Sequence, residues 1–151
     1  MDAAGATGPA LAWLPRALSG LVALGAGAVL TLAAVLVPSA SGHGTHTQLG
    51  LGACTFLTWT GHPCPMCGAT TTFALLAHFR FLEGLANQPF ATLLFGITCG
   101  LCSIGVAEVL DPRHRWSRVA DWFARYEAVA AIGFVAAMLV SWLYVLAVWP
   151  G

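Results

Sequence analysis

The chain has 151 residues, a formal net charge of zero and a mean hydropathy of +0.80. Only 8% of its residues are charged, whereas soluble domains carry about a quarter, so lipid is the expected solvent for most of its surface. The absence of a basic excess argues against nucleic acid as a partner, because phosphate contacts need a basic patch. Composition and length therefore predict that residues 1–151 form a single membrane domain.

Three windows are long and apolar enough to cross the hydrocarbon layer, which takes about 20 residues per helix. They cover about residues 17–37, 90–110 and 128–148. The first window exceeds the apolar run of a cleaved signal peptide, so we interpret it as an uncleaved anchor. Apolar side chains recur at helical spacing in 111–127, which predicts an amphipathic helix on the membrane surface. The predicted fold class is an all-α integral membrane protein with three transmembrane helices.

The placement of arginine predicts the orientation. The stretch 111–127 holds four arginines, whereas the longer stretch 39–88 holds only Arg80. The positive-inside bias then puts the N-terminus and 111–127 in the cytoplasm, and 39–88 outside. We expect a multi-pass protein of the cell membrane, which in bacteria is the inner membrane.

The densest chemistry lies in residues 60–70, T-G-H-P-C-P-M-C-G-A-T. Cys64 and Cys67 are two residues apart, with Pro65 between them and Gly68 after them. This pattern predicts a tight turn that points both sulfurs the same way, as zinc knuckles require. The same arrangement suits a redox dithiol or a purely structural turn.

Four other residues bear on this motif. His62 lies two residues before the pair and is a candidate third metal ligand. Cys99 and Cys102 repeat the C-x-x-C spacing inside the window 90–110, where cysteine packs as a small hydrophobe. A site of four cysteines would require the motif to re-enter the bilayer. Cys54 fits neither pattern.

A helix is predicted after the turn, over about 69–86. It contains histidine, arginine and glutamate, so we expect it to be interfacial or partly re-entrant. Cys67 would lie at its N-terminus, where the helix dipole lowers the pKa of a thiol. His78 would lie about 16 Å further along a straight helix, too far to share a metal with Cys67 of the same chain. His43 and His46 are interpreted as ordinary surface residues of a loop rich in Gly, Ser and Thr.

Small residues recur at helical spacing in the first two windows. Gly96 and Gly100 form a G-x-x-x-G in 90–110, and small stripes of this kind let helices approach closely in lipid. We expect the first two spans to pack through these stripes, within the monomer or in a homo-oligomer. The stripe in 17–37 consists of Ser19, Ala23, Gly27 and Thr31.

The motif resembles the signature C-P-x-C-G-x-T-R of a family of small bacterial membrane proteins of unknown function. The resemblance covers about residues 58–100, and His78 and Pro89 fall at the spacing expected for later family residues. It implies a membrane placement, and the family offers no settled activity to carry over. The residues that match the signature are Cys64, Pro65, Cys67, Gly68 and Thr70.

The sequence also departs from that family. Thr71 stands where the resemblance expects arginine, so any role of that charge is in doubt in this chain. Phe79 and Arg80 replace a Gly-Asp step, and Gln88 replaces an asparagine before the next span.

Three function classes remain. The leading one is an accessory or assembly protein whose Cys64–Cys67 turn stabilises the outer loop, with zinc as the candidate cofactor. The second is a membrane thiol–disulfide oxidoreductase that uses the same two cysteines. The third is a small protein that handles a soft metal and passes it toward Cys99 and Cys102. The expected partners are the lipid bilayer and either other membrane proteins or a second copy of this chain.

Overall fold

A computed structural model of the chain describes residues 13–113 and 115–149. Every regular element within these residues is helical. Three of the helices are long and apolar enough to cross a membrane, which confirms the predicted fold class. In chain order the elements are α1 (Leu14–Val35), a 3-10 turn (Thr45–Leu49), α2 (Thr55–Thr60), α3 (Ala69–Ala77), α4 (Phe81–Asn87), α5 (Pro89–Leu110) and α6 (Arg115–Val148).

The third long helix begins earlier than the apolar window 128–148 suggested. α6 starts at Arg115 and includes most of the stretch predicted as a separate surface helix. No proline occurs between its ends to stop it. The backbone leaves helical geometry at Tyr126, with φ −122° and ψ 18°. The amphipathic stretch and the span are therefore two parts of one kinked helix.

The helix predicted over 69–86 is broken into α3 and α4, so the prediction of one continuous helix was wrong. The break lies at Phe79, whose φ of 61° is left-handed. Two hydrogen bonds close the end of α3, from Phe79 N to Leu76 O (3.0 Å) and from Arg80 N to Leu75 O (2.9 Å). This pair of bonds is a Schellman motif, which satisfies the last carbonyls of a helix and turns the chain away.

α1 and α5 form the most extensive helix pair, and their backbones approach closely at Gly105. A Cβ atom on Gly105 would lie 2.9 Å from the carbonyl oxygen of Ser19 and 3.1 Å from the backbone nitrogen of Ala23. Among the described residues, no atom of another element lies within 4 Å of where a Cβ on Gly96 or Gly100 would be. The two spans do pack through small residues, but Gly96 and Gly100 do not form the contact within the monomer. A role for them in an oligomer stays a prediction.

Polar side chains attach the start of α6 to the first two long helices. The buried carboxylate of Glu108 accepts a hydrogen bond from the backbone N–H of Arg115 at 3.1 Å. It also forms an ion pair with the guanidinium of Arg115 at 3.3 Å. The indole Nε1 of Trp116 donates to the hydroxyl of Ser19 at 3.0 Å. Since an unpaired buried carboxylate is costly, these bonds fix where α6 begins.

Candidate metal centre

Three cysteines converge in the segment between α1 and α5. The sulfur atoms of Cys54, Cys64 and Cys67 all lie within 4.8 Å of one another. Cys54 directly precedes α2, and the other two lie on the turn between α2 and α3. Within residues 13–113 and 115–149, these three side chains are the His, Cys, Asp or Glu residues found close enough together to share a metal ion. The structure thus unites the predicted pair and adds Cys54.

The turn has the tight geometry that the C-P-x-C-G pattern predicts. The backbone N–H of Cys67 donates to Cys64 O at 2.9 Å. Gly68 follows with a φ of 86°, and a Cβ at this position would lie 2.8 Å from Gly42 O. Only glycine combines this backbone conformation with so close a contact.

Two distant side chains hold the carbonyls on either side of Cys64. The indole Nε1 of Trp142, on α6, donates to Pro63 O at 2.9 Å. The amide of Gln88, just before α5, donates to Pro65 O at 2.8 Å. The side chain of Gln88 is fully buried, so its geometry is set by its surroundings. Both side chains were missed from sequence, because bonds to backbone carbonyls leave no pattern in the motif.

A network of amide and hydroxyl groups joins the turn to its neighbours. The amide nitrogen of Asn87 donates to Gly68 O (3.2 Å) and to the hydroxyl of Thr72 (2.9 Å). The hydroxyls of Thr71 and Thr45 are hydrogen-bonded at 2.7 Å, and both side chains are fully buried. Thr71, where the resemblance expects arginine, therefore has a neutral packing role in this chain.

The three thiols differ in their pKa values. Burial, followed by the charge of Cys64, raises the pKa of Cys67 to about 11. Burial also raises the pKa of Cys64, whereas a backbone hydrogen bond at Leu57 lowers that of Cys54. The expected lowering of the Cys67 pKa was wrong, because burial and the charge that Cys64 carries when ionised outweigh the helix dipole. A bound cation would reverse this balance, since a coordinating thiol loses its proton.

The sulfur positions are close to those that a metal ion requires. Zn–S bonds of about 2.3 Å in a tetrahedron place the sulfurs about 3.8 Å apart. The observed limit of 4.8 Å is within about 1 Å of that spacing. A thiolate set of this kind selects soft ions such as zinc or Cu(I).

The remaining predicted residues lie outside the centre. His62 is exposed, and its Nδ1 donates to Thr60 O at 2.8 Å. Within the described residues it does not join the group of sulfurs, and Cys54 takes the place predicted for His62. Cys102 lies on α5, with its sulfur 3.8 Å from Ala23 O. Neither Cys99 nor Cys102 belongs to the cluster in the described parts of the chain.

These features define a helical membrane protein with three spans and a cluster of cysteines between the first two. A family model described as "Protein of unknown function (DUF2752)" matches residues 54–102, about a third of the chain. The match confirms the resemblance of this segment to an uncharacterised family, and it includes all three clustered cysteines. Neither the comparison with curated proteins nor that with solved structures found a match.

Proposed function

We propose that this membrane protein is an accessory or assembly factor whose outer segment, 39–88, is held in shape by a zinc ion on Cys54, Cys64 and Cys67. The observation that carries this proposal is the approach of three sulfurs, from two separate parts of the chain, to within 4.8 Å. A metal at this point would cross-link the start of α2 to the turn before α3. Structural zinc contributes directly to folding free energy, because the unfolded chain has no preformed site.

The hydrogen bonds around the turn support a structural role. Trp142 and Gln88 tie the cysteine turn to α6 and to the start of α5. Groups that orient a metal ligand in this way are typical of well-formed metal sites. An ion bound here would therefore stabilise the arrangement of α3, α5 and α6 as well as the turn.

Thiol–disulfide exchange is the second candidate, and one observation favours it. The pKa of Cys54 is lowered, whereas the pKa values of the neighbouring Cys64 and Cys67 are raised. A redox dithiol commonly has one thiol of lowered pKa beside a second thiol. Exchange chemistry would use only two of the three sulfurs at a time. A disulfide would bring those two sulfur atoms to about 2.05 Å from each other.

Metal analysis separates the two functions. The full chain is purified in mild detergent with a reductant, and its zinc content and free thiols are measured beside those of Cys64→Ser and, as the matched control, Cys99→Ser. We expect one zinc per chain in the parent and the control, and loss of zinc with lower accumulation in Cys64→Ser. A metal-free parent, with normal accumulation of Cys64→Ser, would contradict the zinc centre. A metal-free parent whose thiols change with added oxidant would favour exchange chemistry.

We also propose that the cysteine centre faces the non-cytoplasmic side of the cell membrane and the N-terminus the cytoplasm. Support comes from the arginines of 111–127, which outnumber those of 39–88. Reporter fusions after Gly42 and after Ser117 test this. We expect an external signal at Gly42 and a cytoplasmic one at Ser117, and the reverse pair of signals would refute the orientation.

A further inference from the structure

A cavity of about 720 Å³ lies beside the cysteine centre. Volumes of about 300–1,000 Å³ are typical of sites for small ligands. Cys54, Cys64 and Cys67 line one part of it, and His43 and His46, from the segment after α1, line another. An ion on the three sulfurs would border this space and would not be sealed inside the protein.

The number of protein ligands at the centre also indicates that a bound ion would be accessible from the cavity. Zinc takes four ligands; structural sites supply all four from protein, whereas open sites supply three and leave one position to water or substrate. Within residues 13–113 and 115–149, no fourth His, Cys, Asp or Glu joins the group. With three cysteine ligands, the centre thus has the number of protein ligands that is typical of an open site.

The ring of each of these two histidines is fixed by a hydrogen bond to a backbone carbonyl. His46 Nε2 donates to Gly52 O at 3.1 Å, and His43 Nδ1 donates to Ser41 O at 2.9 Å. A carbonyl oxygen can only accept, so in each neutral ring the other nitrogen is an acceptor. The ring of His43 is also held by Trp149, with ring centroids 4.6 Å apart.

Charge decides which kind of ligand suits this position. Three thiolates and a divalent ion carry a net charge of about −1, by formal charge alone. An anionic fourth ligand would bring the formal charge to about −2, and the described lining of the cavity contains no arginine or lysine to offset it. A neutral donor adds none, and an N–H group on it would match the acceptor nitrogens of His43 and His46.

We propose that the centre keeps a fourth coordination position open to this cavity, and that the cavity binds a small neutral nitrogen-donor molecule of the imidazole type. The molecule coordinates the metal through one nitrogen and donates its N–H to His43 or His46. This inference rests on the proposed metal centre. It makes that centre a ligand-binding site rather than a structural site with four protein ligands.

Cobalt(II) substitution tests the inference, because cobalt bound by thiolates has visible absorption bands that report its ligands. Imidazole is titrated into the cobalt-loaded full chain, and into His43→Phe and His46→Leu. His62→Ala, which removes an exposed histidine outside the cavity, is the matched control. We expect a saturable band shift in the parent and the control. At least one of the two cavity variants, the one that loses the acceptor of the imidazole N–H, should keep its cobalt bands and bind imidazole about tenfold more weakly, the lower end of the range for loss of an orienting group.

Three results would contradict parts of this picture, and they differ from one another. Cobalt bands that do not respond to imidazole would overturn the open position and leave the metal centre standing. Loss of cobalt in His43→Phe or His46→Leu would show that a histidine of this chain is the fourth ligand, which also overturns it. Absence of cobalt bands in the parent would overturn the metal centre itself.

Discussion

The two C-x-x-C pairs of this chain share a spacing and differ in almost everything else. Cys64 and Cys67 lie on a turn outside the long helices and meet Cys54. Cys99 and Cys102 lie within α5, where the sulfur of Cys102 is 3.8 Å from Ala23 O. The first pair has a third donor and a backbone that is fixed by other elements, whereas the second contributes small side chains to a helix surface. The C-x-x-C spacing therefore identifies a candidate pair of ligands, but whether the pair can bind an ion depends on the residues that the fold places around it.

The largest expected effect comes from removing one sulfur from each environment. Cys54→Ser should lose bound zinc, with a fall in affinity greater than the roughly 100-fold that loss of a merely orienting group can cost. Cys102→Ser, which makes the same change on α5, should bind zinc as the parent does. Zinc competition with a chromophoric chelator measures both. Equal zinc affinity in Cys54→Ser and the parent would remove Cys54 from the centre.

A second test concerns the packing face of α5. Gly105→Leu should lower the free energy of unfolding by at least the 1–3 kcal/mol that is typical of overpacking, because a Cβ there would already meet the backbone of α1. Gly100→Leu is the matched control, since the space beside Gly100 is open within the monomer. Thermal unfolding in detergent measures the difference. If Gly100→Leu is the more damaging variant, the glycine pair of the predicted stripe forms an interface between chains.

Much of the fold could be predicted from hydropathy, because a span about 20 residues long and free of charge has few alternatives. Helix contacts were harder to predict. The sequence pattern marked Gly96 and Gly100, yet Gly105 makes the close approach, since any of several small residues on a helix can face its neighbour. Periodicity alone also could not show that α3 would end at Phe79.

The candidate site was only half predictable. The turn at Cys64 and Cys67 follows from local sequence, but Cys54 lies ten positions earlier, and only the tertiary fold brings it close. One signal was present: Cys54 belongs to neither C-x-x-C pair and lies ten residues before the motif. The supports from Trp142 and Gln88 come from far along the chain, and sequence spacing does not encode such contacts.

A smaller effect on zinc affinity is expected from loss of one hydrogen bond to the cysteine turn, and a second variant controls for changes in overall stability. Trp142→Phe removes the hydrogen bond to Pro63 O, and Tyr144→Phe removes a bond of the same helix, to Ala86 O (2.7 Å). Tyr144→Phe should cost about 1 kcal/mol of stability or less, and Trp142→Phe about 1–3 kcal/mol, because it leaves the carbonyl of buried Pro63 without its donor. Of the two variants, only Trp142→Phe should also weaken zinc binding, by about tenfold, since of these two bonds only the one to Pro63 O holds the cysteine turn. A similar loss of zinc affinity in both variants would mean that Trp142 acts through stability alone.

The smallest expected effect concerns the end of the helix that follows the turn. Phe79 has a left-handed φ of 61° at the position of the Schellman motif that glycine usually occupies, and the resemblance expects glycine there. A side chain in this conformation costs about 1–2 kcal/mol, because its Cβ crowds the next carbonyl. Phe79 is 80% exposed, so its replacement removes little burial. We therefore expect Phe79→Gly to be more stable than Phe79→Ala by about 1 kcal/mol in thermal unfolding, since both lose the ring and only glycine relieves the backbone. Equal stability of the two variants would show that the chain leaves α3 without this strain.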